Sequence, residues 1–256
     1  MKAGTTRGIA VVVRVVVVTF ALASLGWTWF VAPTLWYQAP MSQMARKVVG
    51  GEQYQPGFFV DFADVTQRSL RQEICEPVAR RTLAVVRLRL AEEAISAGDN
   101  SRIRQTQSDL EAALLGALDC APADPLLWLG LFWLQNNTRA LQQDNFQALR
   151  LSYRFGPNEG WLALRRSRFA LAVYPALPED LKRRAVDEFV QLVKSNFIPD
   201  AADIIIGPGR PISGTLLSHL EGIDLAKLRY LAWILDGRDF EARIPGVEVK
   251  TRPRPW

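Results

Sequence analysis

An all-α fold behind a single membrane-spanning helix is what this sequence predicts, and three observations predict it. Residues Val15 to Trp36 form an uncharged apolar run of twenty-two residues. Beyond residue 60, apolar residues recur at three- and four-residue intervals between short Gly-, Pro- and Asp-containing breaks, the pattern of amphipathic helices joined by tight turns. One central stretch, "LLWLGLFWL" from Leu126 to Leu134, is apolar or glycine throughout, as suits a helix with neighbours on both sides. That stretch is too short to cross a bilayer, and Asn136, Asn137 and Arg139 follow it directly. Trp128 and Trp133 are accordingly expected in the core.

The first run, at 1.5 Å per residue, measures about 33 Å, enough for a hydrocarbon layer roughly 30 Å thick. Lys2, Arg7 and Arg14 precede it, and Trp27, Trp29, Trp36 and Tyr37 cluster toward its far end as interface residues. Leading positive charge favours a cytoplasmic N-terminus, with the rest of the chain across the membrane. A cleaved signal peptide is the rival reading, since Ala21–Ala23 resembles a cleavage site, but the apolar run continues well past it. An uncleaved anchor is therefore expected over residues 1–37, in an inner membrane, with a periplasmic C-terminal domain.

Residues 38–60 form a polar connector, and residues 61–198 a helical domain. Arg81 to Gly98 reads as a helix closed by glycine, and Arg102 to Cys120 as its antiparallel neighbour across "GDNS". Further helices are expected over Leu126–Arg139, Asp144–Phe155, Gly160–Val173 and Pro178–Ser195. Asp144 and Gln147 suit a capping box, and Glu179 and Asp180 suit a first turn after Pro178. Residues 199–240 read as a Pro- and Gly-rich loop followed by capping helices, and residues 241–256 as an extended or disordered tail.

"LDCAPADPLLWL" and "RFGPNEGWLAL" place Pro122 against Pro157 and Asp124 against Glu159, a shift of thirty-five residues. This junction between helical hairpins resembles the tetratricopeptide-repeat superfamily, whose period is about 34 residues. The resemblance covers roughly residues 80 to 195 and is degenerate, since small and aromatic consensus positions are only partly filled. It implies a TPR-like stack of antiparallel hairpins closed by a C-terminal capping helix. In layout, an anchor followed by a degenerate helical repeat, the chain looks like accessory proteins of bacterial envelope and exopolysaccharide assembly. That likeness implies a non-catalytic scaffold for protein–protein interaction.

Cys75 and Cys120 are the chain's two cysteines. If they flank one helical hairpin centred near Asp99, they stand at the same end of it, within about 4–5 Å along the axis. Either a disulfide or two buried free thiols fits this spacing. A bridge suits an oxidising compartment, and closing about 45 residues contributes roughly 3–4 kcal/mol in the chain-entropy picture.

Chemistry is sparse. His219 stands alone, and no P-loop, HExxH, GxSxG or CxxC pattern occurs. No catalytic residue, cofactor or metal site is expected. Glu92, Glu93, Asp109 and Glu111 read as helical surface charge. "GPGRPISG" from Gly207 could form an anion-binding nest with Arg210, although a tight turn is the simpler reading. A net charge of +5 is spread along the chain, which does not point to nucleic acid. Arg150, Arg154, Arg165, Arg166, Arg168, Lys182, Arg183 and Arg184 lie on consecutive expected helices and form a candidate partner surface. Its partners would be a protein of a membrane complex, acidic polysaccharide or lipid headgroups.

Overall fold

The computed structural model describes residues 12–29, 32, 43, 59–60, 63, 75–138 and 145–247. The chain divides into two compact units, residues 1–93 and 94–256. Among the described residues every regular element is helical.

Helix α1 runs from Val12 to Trp29 and is long and apolar enough to cross a membrane. Its side chains have no protein cover: Phe20 is 75% exposed and Trp29 85%. Thr19 and Thr28 return their hydroxyls to the carbonyls of Val15 and Ser24, both at 2.8 Å, so neither leaves a polar group dangling from the apolar surface. Trp36 and Tyr37, the remaining expected interface residues, lie outside the described residues.

Helix α2 spans Pro77–Ala97 and α3 spans Asn100–Cys120. Gly98 ends α2 with a φ of 67°, a conformation a side chain would resist. Asp99 then caps α3 by accepting from the N–H groups of Ser101 and Arg102, at 3.1 and 3.2 Å. These bonds, with the Ser101 hydroxyl first among them, hold the Asp99 carboxyl below its ordinary range. Cys75 stands two residues before α2, and Cys120 is the last residue of α3. The two lie at disulfide-bonding distance and neither is free.

In the second unit α4 (Pro125–Thr138) packs on α3 and most closely on α5 (Asn145–Phe155). Leu126, Leu127, Leu129, Leu131, Phe132 and Leu134 carry its burial, whereas Trp128 and Trp133 are only half-buried. The expectation of two core tryptophans is corrected by a hydrogen bond: the Trp128 indole donates to the Pro122 carbonyl at 2.8 Å, which holds the ring at the junction. Asp144 lies outside the described residues.

Helix α6 (Gly160–Ala172) packs on α7 (Glu179–Lys194), and α4 also touches α6. The helix ends repeat at the interval read from sequence. Cys120 and Phe155 end helices thirty-five residues apart, Pro125 and Gly160 begin them, and both junctions are a two-residue turn. They differ in their caps, because Asp124 accepts from the Leu126 N–H at 2.9 Å while the Glu159 side chain caps nothing.

The segment after residue 198 departs from expectation. Ile198–Ile206 is a helix, α8, not a loop. Pro199 sits in the first turn, where its missing N–H costs nothing, and Asp200 faces the positive helix end. Burial of Ala201, Ala202, Ile204 and Ile205 outweighs the modest helix propensity of the isoleucines. Two short elements follow, a 3₁₀ turn over Arg210–Ile212 and α9 over Ser213–Ser218. Helix α10 (Leu225–Asp236) then closes the unit against α8. The tail is not free at its start, since Ile244 is buried.

Among the described glycines, Gly156, between α5 and α6, leaves the least room for a side chain. A Cβ there would meet Pro125 at 2.7 Å and Leu162 at 3.0 Å. Gly156→Ala is therefore expected to cost about 1–3 kcal/mol by overpacking. Urea unfolding of the full chain followed by circular dichroism measures it, with Gly214→Ala, which meets nothing within 4 Å, as the neutral control.

Candidate functional site

Three helices bring polar groups together inside the second unit. On α6 the buried positions Leu162, Arg166 and Ala170 recur every fourth residue, so a guanidinium occupies an apolar face. On α7 the same holds for Glu188, which lies among Leu181, Ala185 and Leu192. Helix α5 adds Ser152 and Tyr153, both buried.

Arg166 has no exposed surface. Its Nε donates to both Glu188 oxygens at 3.0 and 3.2 Å, and Nη2 also donates to Glu188 Oε1. Nη1 donates to the Ser152 carbonyl at 2.7 Å and its hydroxyl at 3.2 Å, and Nη2 reaches the Gly156 carbonyl at 2.9 Å. Ser167 donates to the second Glu188 oxygen at 3.3 Å. All the nitrogens of the guanidinium are thus engaged. Two of the acceptors are carbonyls at the end of α5, where a cation also meets the negative end of the helix dipole. The guanidinium carbon lies 4.1 Å from the centre of the Tyr153 ring.

Burial pushes the Glu188 carboxyl above the usual glutamate range, against the opposing pull of the Arg166 guanidinium. Tyr153 is driven well above the ordinary phenol range, first by burial and then by the Glu188 charge. Its hydroxyl lies near that carboxylate yet has no partner of acceptable hydrogen-bond geometry among the described residues. With its donors spent, Arg166 is a fastener of three helices and is closed to solvent as an anion receptor.

Beside this node lies an open cleft of ≈ 300 Å³. Tyr153, the turn at Pro157 and Asn158, Gly160 and Ala163 form one wall. Arg184, Asp187, Glu188 and Gln191, spaced along one face of α7, form the other with Phe197.

The expected basic surface is only partly assembled. Arg166 is removed from it by burial, a correction with a physical cause: its helical position faces α5 and α7. Arg150 pairs with Asp180 at 2.8 and 3.0 Å. Arg168 lies 3.9 Å from Asp203, which Arg238 also engages, and Lys182 lies 3.7 Å from Glu179. Arg154 and Arg183 are exposed, Arg165 is half-buried with a partner, and Arg184 borders the cleft.

The other expected groups are local. Glu92 and Glu93 pair with Arg89 on their own helix, and Asp109 accepts from Gln105. The His219 Nδ1–H donates to the Thr215 carbonyl at 2.8 Å. No anion nest forms after Gly207, because the N–H groups of Gly207, Gly209, Arg210 and Ile212 donate to chain carbonyls. Among the described residues no three His, Cys, Asp or Glu side chains are grouped to hold a metal.

Glu188, Tyr153, Ser152, Ser167 and Gly156 were not marked by any motif. The signal available was a charged residue on each apolar face, Arg166 and Glu188, which together imply a buried pair.

In comparisons with known proteins, no family model, no curated protein and no solved structure matches the chain.

Removing one partner of this buried pair is expected to cost about 3–5 kcal/mol, whereas exchanging both for apolar residues costs far less than the sum. A double-mutant cycle of Arg166→Met and Glu188→Leu, read by urea unfolding, measures the coupling. The folded state holds the Glu188 proton more tightly than the unfolded chain. This group therefore favours folding most below the ordinary glutamate value, and the contribution is lost as pH rises through the raised value. The stability advantage of the wild type over Glu188→Gln is expected to shrink as pH rises above the ordinary glutamate value of about 4.3.

Proposed function

We propose that the protein is a single-pass membrane protein whose helical unit is a non-catalytic scaffold. It binds other proteins of a membrane complex engaged in cell-envelope, and in particular polysaccharide, assembly or export. The N-terminus lies in the cytoplasm, the anchor in the inner membrane and the helical unit in the periplasm.

The observation that carries the binding role is an exposed aromatic ledge on α10. Trp233 is 68% exposed and stacks on Tyr230, with ring centres 5.9 Å apart and planes at 15°. A solvent-facing aromatic pair on a closing helix is costly in water and suited to an interface, where such rings are enriched. The uncovered apolar surface of α1 supports the anchor, and Lys2, Arg7 and Arg14 support the orientation. Cysteines at bonding distance suit an oxidising compartment. Two junctions set thirty-five residues apart support the TPR-like stack, an architecture that binds by surface shape. The rival reading, a basic surface for acidic glycan or lipid headgroups, is weakened by the pairing of Arg150, Arg168 and Lys182 with carboxylates.

A photo-crosslinking residue at Trp233, in full-length protein in the membrane, tests the scaffold. A discrete adduct with one membrane-complex protein, absent when the residue is moved to exposed Arg104, is the expected result. Equal labelling from both positions, or none from either, would contradict it. A C-terminal reporter active only on the cytoplasmic side would overturn the orientation.

A further inference from the structure

We infer that the cleft between α5, α6 and α7 binds one neutral pyranose ring of a saccharide. The inference deepens the scaffold reading, on which it rests in treating the helical unit as a binder rather than an enzyme.

Four polar side chains at the cleft are unengaged. Among the described residues, Asn158, Arg184, Asp187 and Gln191 make no side-chain hydrogen bond or ion pair, although Arg184 lies 6.0 Å from the centre of the Tyr153 ring. A fifth group lies deeper. Tyr153 lines the same cleft and is 5% exposed, with its hydroxyl buried beside the Glu188 carboxylate.

Charge decides the ligand class. Arg184 and Asp187 oppose each other in sign, and Glu188 is already balanced by Arg166. The lining is therefore close to neutral. A carboxylate or phosphate bound to Arg184 would also face Asp187 and Glu188, and an ammonium bound to Asp187 would face Arg184. A hydroxyl has no such conflict, because it donates and accepts at once. The lining offers donors from Arg184, Asn158 and Gln191, and acceptors from Asp187, Asn158 and Gln191. Neighbouring ring hydroxyls use both kinds together. Pro157, Ala163, Leu192 and Phe197 supply apolar surface for the C–H faces of the ring. At ≈ 300 Å³ the cleft is at the small end of ligand sites, which suits one ring rather than an extended chain.

Saturation-transfer NMR tests this on the full chain held in a non-glycosidic detergent. The probes are methyl α-D-glucopyranoside, methyl α-D-mannopyranoside and N-acetylglucosamine, with D-glucuronate and inorganic phosphate as anionic probes. Transfer to the ring protons of at least one neutral sugar is expected, with affinity reduced about tenfold in Asp187→Ala and in Gln191→Ala. Both positions are exposed, and an unchanged circular dichroism spectrum confirms their fold. Absence of transfer to every neutral sugar, stronger binding of glucuronate or phosphate, or undiminished affinity in both variants would each overturn the inference. Saccharide binding without a crosslinked protein partner would instead overturn the scaffold and leave the cleft standing.

Discussion

The pairing of Arg166 with Glu188 is the interaction on which the second unit depends. A guanidinium with no exposed surface is tolerable only when its donors all find acceptors, and here those acceptors come from two other helices. Helix α6 supplies the charge, α7 the carboxylate, and α5 two terminal carbonyls. The geometry leaves little freedom, because sliding any of the three helices by one turn would strand a buried charge. Burial raises the Glu188 carboxyl despite its cation, so the pair contributes less to net stability than to fixing one arrangement of the helices.

That fixed arrangement creates the cleft. Tyr153 is pinned beneath the Arg166 guanidinium on one side, and Glu188 is held back from solvent on the other. The neighbouring residues of α7, Arg184, Asp187 and Gln191, are then displayed on the same face one turn apart. Opposite charges within one turn that do not pair leave both groups available to something else. The aromatic ledge of α10 is a separate surface with different chemistry.

Much of the helical texture was legible in the residues. Periodicity and punctuation placed α2 to α7 within a few positions, because Gly98, Pro122, Pro157 and Pro178 are strong local breaks. The shift of thirty-five located two junctions whose backbone turns match. Helix α8 was hidden because Pro199 and three consecutive isoleucines read as extended chain, and the packing that makes them helical is tertiary. Arg166 was taken for surface because it stands in a run of arginines, Arg165, Arg166 and Arg168, whose members differ only in helical phase. Its phase matched the apolar series, and that was the better guide. The cleft was not legible at all, since Tyr153 on α5, Asn158 in the turn at Pro157 and Asp187 on α7 come together only in the tertiary fold.

Native-state hydrogen exchange of the full chain across increasing urea addresses the role of the Arg166–Glu188 pair most directly. If the pair fastens three helices into one cooperative body, the slowest amides of α5, α6 and α7 will converge on a single opening free energy. Amides of α5 that open at distinctly lower free energy than those of α7 would contradict it, and would show the buried pair to be incidental to how this unit holds together.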